Sequence, residues 1–403
     1  MSEFRLAIIS DLHCHACGEN GKKESFLIVG DSRMPENKHP VSSLIKLVND
    51  GGEDLLCDFL ICCGDLSHQI CVQGMNQAWD FIRTDLKYCL SSEEVICTIG
   101  NHDVSSRDGE GEKNRGPFYI ARNIHPEFPF CEEKDRDCYW LHGFCLKIYD
   151  GIEFLIINTA HDHYDTRMAE KGRLSEECLS GIEKTLEEKS VGSHLKLAVL
   201  HHHPIQHTCI DDDNDDYLDN GGRLLDVLSK YGYVMVLHGH KHIPIIKRYN
   251  SGGSDIFVFG CGSFSRFLAE IGSVTRNLFH VIDLEYVESS SLKCAGRIRT
   301  WEFNYGHGWN KSTVRSAGIP HEIILGKEDV ASVASQIVEY FKKENAEEID
   351  EKEMMNIFNG IKYLLPLEIE VLKEDLRGKG IGVDFGAYGG IKSIFKLMHG
   401  DDE

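Results

Sequence analysis

No apolar run in the chain reaches the ~20 residues that a membrane-spanning helix requires. The opening stretch MSEFRLAIIS also lacks the basic-then-apolar order of a secretory leader, so a cytoplasmic protein is expected. Positive charge is scarce: 43 Lys and Arg face 65 Asp and Glu, a formal net charge of −22 over 403 residues. Such a body repels nucleic-acid phosphates and anionic lipid heads. Tight non-specific binding to either would need a local basic patch, and none stands out in the sequence. Regular cysteine spacing is missing too. The 15 cysteines sit mainly in apolar stretches such as FLICCGD and EVICTIG, where they read as buried thiols in a reducing compartment. Cys14 and Cys17 form one CxxC, but no second CxxC completes a zinc site. There is no internal repeat and no low-complexity tract, and 27% charged with 9% aromatic residues exclude wholesale disorder and fibrous repeats.

What remains is the pattern of a folded α/β chain. Short apolar β-type runs alternate with amphipathic stretches over the first three quarters of the sequence, as expected for a mostly buried sheet flanked by helices. Strands are predicted at Phe4–Ser10, Phe59–Cys63, Val95–Ile99, Phe154–Asn158, Leu195–Leu200 and Val234–Leu237. Helices are predicted at Ser42–Val48, Asn76–Leu90, Ser175–Glu188 and Gly222–Tyr231. In the third helix Leu179, Ile182 and Leu186 mark one face, with Ser175 as the N-cap. Asp150-Gly151 signals a hairpin. After Gly239 the successive segments PIIKRYN, DIFVFGC, NLFHVIDLEY and SLKCAGRIRTWEF predict a second sheet packed on the first. Composition changes again near Pro320. Residues 1–310 are therefore expected to form one domain and residues 320–403 a mainly helical extension of unknown role.

Five short polar motifs follow strand-like runs: Asp11-Leu12-His13, Gly64-Asp65, Gly100-Asn101-His102-Asp103, His201-His202-His203-Pro204 and Gly239-His240-Lys241-His242. Open α/β sheets bind ligands beyond the carboxyl ends of their strands. Histidine, carboxylate and one asparagine carbonyl make a mixed nitrogen and oxygen donor set suited to two divalent ions. Alternate residues such as Asp11/His13 and His240/His242 can turn two donors toward one centre, and an aspartate between two cations can bridge them. With +4 from two ions and −2 from Asp11 and Asp65, the cluster keeps about +2, a cationic spot on an anionic body.

In this order, the five motifs resemble those of the calcineurin-like metallophosphoesterase superfamily. The resemblance covers roughly residues 4–305 and implies an α+β type of α/β fold, a four-layer α-β-β-α sandwich of two mixed sheets. It further implies two divalent metal ions, with Asp11, His13 and His242 on one, Asn101, His202 and His240 on the other, and Asp65 bridging. Among three consecutive histidines His202 is chosen because the family ligand stands two residues before the proline; His201 and His203 are the alternatives. Mn2+ or an iron-containing pair suits this thiolate-free set best, while Zn2+ or Ni2+ also fits it. The implied activity is hydrolysis of phosphoester bonds by a metal-bridging hydroxide. His102 would stabilise the transition state or protonate the leaving oxygen, with Asp103 positioning and charging its imidazole.

The stretches GDLSHQ and GNHD depart from the GDxVDRG and GNHE of protein serine/threonine phosphatases. GRLS at Gly172–Ser175, HHHP, GHKH and GSFS at Gly262–Ser265 are more similar to bacterial-type phosphodiesterases, so a nucleotide or other small phosphodiester is the expected substrate. Two alternatives stand beside it. A nuclease working with a partner protein shares these motifs but calls for a basic stripe. A non-catalytic, metal-bound scaffold would act through the C-terminal extension, which offers a surface to a protein partner or a second copy. His15, His68, His161 and His163 are candidates for touching substrate or lining the rim, as against ordinary loop polars. The acidic run Asp211–Asp216 would repel long polyanions if it overhangs the site. Arg107, Arg115, Arg122 and Arg266 could hold a substrate phosphate, and the insertion containing GDSRMPENKHP could form a wall that sets substrate size.

Overall fold

The computed structural model of the chain describes residues 3–16, 24–30, 34–105, 116–163, 171–192, 194–206, 217–250, 252–267, 276–288, 292–313 and 318–397. Cys17, Arg107, Arg115, Asp211–Asp216 and part of the GDSRMPENKHP insertion lie outside the described residues. Strands β1 (Glu3–Ile9), β2 (Phe59–Cys62), β3 (Glu94–Cys97), β4 (Phe144–Tyr149), β5 (Ile152–Ile157), β6 (Leu195–Val199), β7 (Met235–His238), β8 (Pro244–Tyr249), β9 (Ile256–Cys261), β10 (Asn277–Tyr286), β11 (Cys294–Asn304), β12 (Gly308–Lys311) and β13 (Glu322–Leu325) build two mixed sheets. The first runs β12-β11-β10-β1-β2-β3, with β13 pairing β11; β1, β2 and β3 are parallel and β10, β11 and β12 antiparallel additions. The second runs β4-β5-β6-β7-β9-β8, parallel from β5 through β9, with antiparallel β4 and β8 at its edges.

Parallel strands covered on both faces read as unbroken apolar runs, and β2 (FLIC) and β5 (IEFLII) are buried along their whole length. Between the sheets lie Leu6, Ile8, Phe59 and Ile61 from the first and Phe154, Leu197, Val199 and Leu237 from the second, with the Phe59 and Phe154 rings 5.0 Å apart. Against the first sheet pack α1 (Pro40–Gly51), α2 (Val72–Asp80) and, beyond a π-helical stretch at Phe81–Leu86, α3 (Lys87–Cys89), through Val41, Leu44, Val48, Met75 and Trp79. After the short α4 (Tyr119–Arg122), α5 (Glu133–His142) packs beside the edge strand β4. On the outer face of the second sheet, α6 (Glu176–Lys189) and α7 (Gly221–Lys230) bring Leu179, Ile182, Leu186 and Leu224 onto Leu155, Ala198 and Val236. Ser175 caps α6, its hydroxyl accepting from the Cys178 N–H at 3.1 Å. These are the four layers that the resemblance implied.

The segments after Gly239 do not form a sheet of their own. β8 and β9 enlarge the second sheet, whereas β10, β11 and β12 cross back to the first. The physical reason is an edge: without β10, β1 would expose a row of unpaired backbone groups beside the sandwich core.

Beyond β13 the chain forms α8 (Val330–Glu344), β14 (Glu348–Asp350), α9 (Glu351–Ile357), a 3-10 turn at Asn359–Tyr363, α10 (Pro366–Arg377) and the hairpin strands β15 (Ile381–Phe385) and β16 (Ile391–Lys396). Helices dominate, as the sequence predicts. A three-stranded sheet, β14-β16-β15, is added that the sequence did not announce, because its strands are short and mix glycine and charge with the apolar residues. Val333, Ile337, Phe341, Met354, Leu372, Leu376 and Ile394 give this unit its own core. Arg248 of β8 clamps it: Nη1 meets Glu368 Oε1 at 2.6 Å, and Nη2 donates to the Gly326 and Tyr363 carbonyls at 2.7 and 2.5 Å. Among the described residues no helix is long and apolar enough to cross a membrane.

Because Arg248 is largely buried and holds three acceptors at once, Arg248→Met should weaken the docking of this unit by about 2–3 kcal/mol. Hydrogen exchange across residues 330–397 should speed up in the variant while α6 and α7 keep their protection. Unchanged exchange would show that the clamp carries no stability.

Candidate metal centre

The carboxyl ends of β1, β2 and β3 in one sheet and of β6 and β7 in the other converge at one edge of the sandwich. There the backbone turns sharply. Asp11, His13, Asp65, His240 and His242 all have positive φ, at 53°, 47°, 52°, 80° and 55°, a region that side-chain-bearing residues rarely occupy. Such conformations cost of order 1 kcal/mol each and persist only where surrounding bonds over-determine them. Those bonds are present. The Asp11 N–H donates to Gly64 O and the His13 N–H to Asp65 O, both at 3.0 Å, while Ser10 Oγ donates to Asp11 Oδ2 at 2.5 Å. The GSFS stretch finds its use here, because Ser263 Oγ donates to Asp11 O at 2.8 Å and Ser265 Oγ to Leu12 O. Close approach also requires two glycines: a Cβ at Gly100 would stand 2.1 Å from Asp65 Oδ1, and one at Gly239 would stand 2.1 Å from Ser10 Oγ.

The side chains form two adjoining groups. In the first, ligand atoms of Asp11, His13, Asp65 and His242 lie within 4.8 Å of one another, and all four residues are buried. His13 Nε2 and His242 Nε2 are 3.0 Å apart, and Asp11 Oδ1 is 3.2 Å from His242 Nε2. In the second, Asn101 Oδ1 lies 3.2 Å from His201 Nε2 and 3.1 Å from His240 Nδ1. Asp65 joins them. Its Oδ2 is 3.5 Å from His13 Nε2 on one side and 3.4 Å from His201 Nε2 on the other, while Oδ1 accepts the His102 N–H at 2.8 Å.

Electrostatics match a cation-binding donor set. Burial works to raise the Asp11 and Asp65 carboxyls, but the surrounding histidines outweigh it and hold both well below the usual carboxylate range. Burial pushes His240 well down and His242 down to about 4, which leaves their lone pairs available. His201 moves the other way despite burial, up to about 9, because Asp65 and Asp11 draw positive charge toward it. That same field favours a metal ion.

Among the consecutive histidines the structure brings His201, and not His202, against Asn101 and Asp65. Alternation along β6 explains this. Leu197 and Val199 face the other sheet, so His201 continues on the inner face and His202 falls on the outer one with Ala198 and Leu200. His201 Nδ1 donates to Cys63 O at 2.8 Å, fixing the ring with Nε2 toward the cluster. His202 Nδ1 instead bonds Thr159 Oγ1 at 2.7 Å, its Nε2 has no hydrogen-bond partner among the described residues, and its ring lies 4.5 Å from that of His240. His203 is buried and stacks on His240 at 5.9 Å.

His102 is part-exposed, its ring edge-on to His13 at 4.7 Å. Asp103 uses its carboxylate on the loops: it accepts from Ser67 N at 2.8 Å, Ser67 Oγ at 2.9 Å, Gly100 N at 3.0 Å and Leu66 N at 3.1 Å. Burial and the Asp65 charge lift it to about 6. His68 is a further part-exposed imidazole at the centre, grouped with His13 and His102, whereas His15 is buried against residues 24–29. His163 is buried and donates from Nε2 to Lys171 O at 2.7 Å; His161 is part-exposed beside Asp162. Of the described candidate arginines, Arg122 is exposed on α4, while the charge of Arg266 is felt by both His68 and His242. Thr159 and Ser10 escaped sequence reasoning because a lone hydroxyl carries no spacing signal.

Residues 4–244 match the model of the calcineurin-like phosphoesterase family. Among solved structures the chain is similar to a purple acid phosphatase from yellow lupin (Lupinus luteus) seeds, at 16% identity and TM-score 0.45, over 77% of this chain and 53% of that one. It is also similar to a dimetal phosphatase from Danio rerio, at 13% identity and TM-score 0.43, over 74% and 95% of the two chains. A third likeness is to GAP50, the anchor in the inner membrane complex of Plasmodium, at 10% identity and TM-score 0.39, over 78% and 90%. The chain spans about half the length of the lupin protein. No curated protein sequence matches it.

Gly100→Ala should displace the Asp65 carboxylate, since the added methyl would meet Oδ1 at 2.1 Å. Equilibrium dialysis against Mn2+ should show most bound metal lost while far-ultraviolet circular dichroism stays unchanged. Full metal content in the variant would exclude a tight approach of Gly100 to the centre.

Proposed function

The chain belongs to the calcineurin-like phosphoesterase family, and from that premise we propose that it is a dinuclear-metal phosphodiesterase acting on a nucleotide or other small phosphodiester. The observation that carries the proposal is the Asp65 carboxylate, with Oδ2 3.5 Å from one imidazole group and 3.4 Å from the other. Asp11, His13 and His242 would hold one ion and Asn101, His201 and His240 the other, with Asp65 shared. His201 replaces His202 in this set because its Nδ1 is tied to a backbone carbonyl and its Nε2 faces Asn101 Oδ1 and the Asp65 carboxylate, the usual arrangement of a metal-binding histidine. When bound, two divalent ions supply an activated water and neutralise charge on the phosphoryl oxygens.

The chain's own residues do the rest. His102 Nδ1 accepts the Gln69 N–H at 3.3 Å, which leaves the ring proton on Nε2. That proton is the one offered to the leaving oxygen. Asp103 acts at one remove, as a positioning residue that ties the GNHD loop to the loop after Asp65. Arg266, close enough for its charge to be felt at His242, is the arginine that would meet a substrate phosphate. The preference for a small diester draws on the GRLS and GSFS stretches and on the net charge of −22, which disfavours long polyanions.

Mn2+-loaded protein should hydrolyse bis(p-nitrophenyl) phosphate and lose that activity on chelation; a metal-loaded protein with no turnover on any diester would end the proposal. His102→Ala should keep both ions yet lower kcat by about 10³-fold. Metal analysis separates the two adjacent histidines. His201→Ala should drop the content from two ions to one, whereas His202→Ala should keep two, and the reverse result would restore His202 as the ligand.

A further inference from the structure

Two large aromatic side chains stand out toward solvent near the candidate metal centre. Phe267 is 46% exposed and Tyr305 49% exposed, although rings of this size stabilise a fold chiefly when buried. They belong to one cluster. Phe26 lies between them, its ring 5.3 Å from that of Tyr305 at an interplanar angle of 22° and 5.1 Å from that of Phe267 at 43°. Phe303 of β11 props Phe26 edge-on from 5.6 Å. Lys38 Nζ stands over the Tyr305 ring, 5.4 Å from its centroid, so a cation borders the aromatic surface.

Backbone pairing fixes this cluster at the Asp11–His13 turn. The Phe26 N–H donates to Ser265 O at 2.8 Å and the Phe267 N–H to Glu24 O at 2.9 Å, with Ser25 and Arg266 opposite each other in an antiparallel bridge. Ser25 Oγ donates in turn to Leu12 O at 2.9 Å, the carbonyl that Ser265 Oγ also holds. Leu12 stands between the proposed ligands Asp11 and His13. One bonded side chain and one peptide step therefore separate Phe26 from that turn, which puts its Cα about 10 Å from that of Leu12. Imidazoles span the gap: the His68 ring is 5.8 Å from His13 and 6.2 Å from His15, whose Nε2 lies 3.5 Å from the Glu24 N. Tyr305 is pinned from the other side. Asn37 Nδ2 donates to Gly306 O at 2.6 Å and the Gly306 N–H to Asn37 O at 2.9 Å, holding the β11–β12 turn on the 3-10 turn Glu36–Lys38. Asn37 and Lys38 come from the GDSRMPENKHP insertion, and Phe26 from the same stretch between Asp11 and Asp65.

We propose that Phe267 and Tyr305 form a stacking platform for the base of a nucleotide substrate, so that this wall separates base-bearing diesters from other small diesters. The inference rests on the phosphodiesterase reading and deepens it. With the phosphate at the metal centre, ribose passes His68 and the base reaches the rings. Arg266 and Phe267 are neighbours in sequence, so a contact to phosphate and a contact to base leave adjacent residues of one short ladder. An uncharged base is not repelled by a protein of net charge −22, and covering the two rings removes apolar area from water. Every base has a π-face, so the platform recognises that a base is present rather than which one it is. An aliphatic ester group in the same place gains no such contact.

The test uses the full, Mn2+-loaded chain and two chromogenic diesters with the same leaving group, thymidine 5'-(p-nitrophenyl phosphate) and methyl p-nitrophenyl phosphate. The thymidine ester should show a KM about tenfold lower, the effect of one base–aromatic stack. The double variant Phe267→Ala/Tyr305→Ala should bring the two KM values together, whereas Phe267→Trp/Tyr305→Phe should keep them apart. Tyr88→Ala, which removes an exposed ring of α3, should keep them apart as well. Equal KM values in the native chain, a preference that survives the double alanine variant, or one lost to the same extent in Tyr88→Ala would overturn the platform. Binding is measured separately by equilibrium dialysis, where AMP should be held about tenfold more tightly than ribose 5-phosphate. Equal retention of the two would also overturn it. If neither diester is turned over while AMP is still preferred and the double alanine variant abolishes that preference, the phosphodiesterase reading falls and the platform stands.

Discussion

One carboxylate organises the centre. Asp65 is buried, ionised and surrounded, with one oxygen held by the His102 backbone N–H and the other between imidazoles from opposite sheets. A buried carboxylate in that position is tolerable only with positive charge beside it. Its surroundings supply this in graded form, from the raised His201 to the field that calls for metal ions. Much of the local architecture can be understood as making room for Asp65: Gly100 because a side chain would strike its oxygen, the left-handed turn at Asp65 itself, and the Asp103 bonds that tie its loop to the next.

The strain at the five left-handed positions is localised where the sheets end and hydroxyls begin. Ser10, Ser263 and Ser265 contribute no ligand atom to the proposed ion sites, yet they hold the carbonyls and carboxylate around Asp11 and Leu12. Rigid strands behind and short bonded turns in front leave the donor atoms few alternatives. This is how a set of loops can keep 3 Å geometry without a helix or strand passing through it.

The ordering of DLH, GD, GNHD and GHKH after apolar runs made the centre legible, because strand ends can be read from local hydrophobicity and the donor types speak for themselves. The proposed choice of His201 over His202 was not legible in the same way. Both residues have the same chemistry, and the decision depends on which face of β6 is turned inward, a fact set by packing of Leu197 and Val199 against the opposite sheet. The return of β10 to lie beside β1 was hidden for a related reason: a strand's run of apolar residues does not say which edge it will cover. Helix α5 was missed because EKDRDCYWLH carries little apolar periodicity, its burial resting on Tyr139 and Trp140 alone. The small sheet β14-β16-β15 escaped for want of length.

The proposed ligand sets draw on both sheets, and the sequence delivers them far apart: Asp11 first, His242 only after β7, and β10, which flanks the strand leading to Asp11, later still. A nascent polypeptide emerging from the ribosome therefore offers no complete set of these donors until His242 has been made. Loading of the proposed ion sites waits on the pairing of both sheets, so that metal occupancy would report a completed topology.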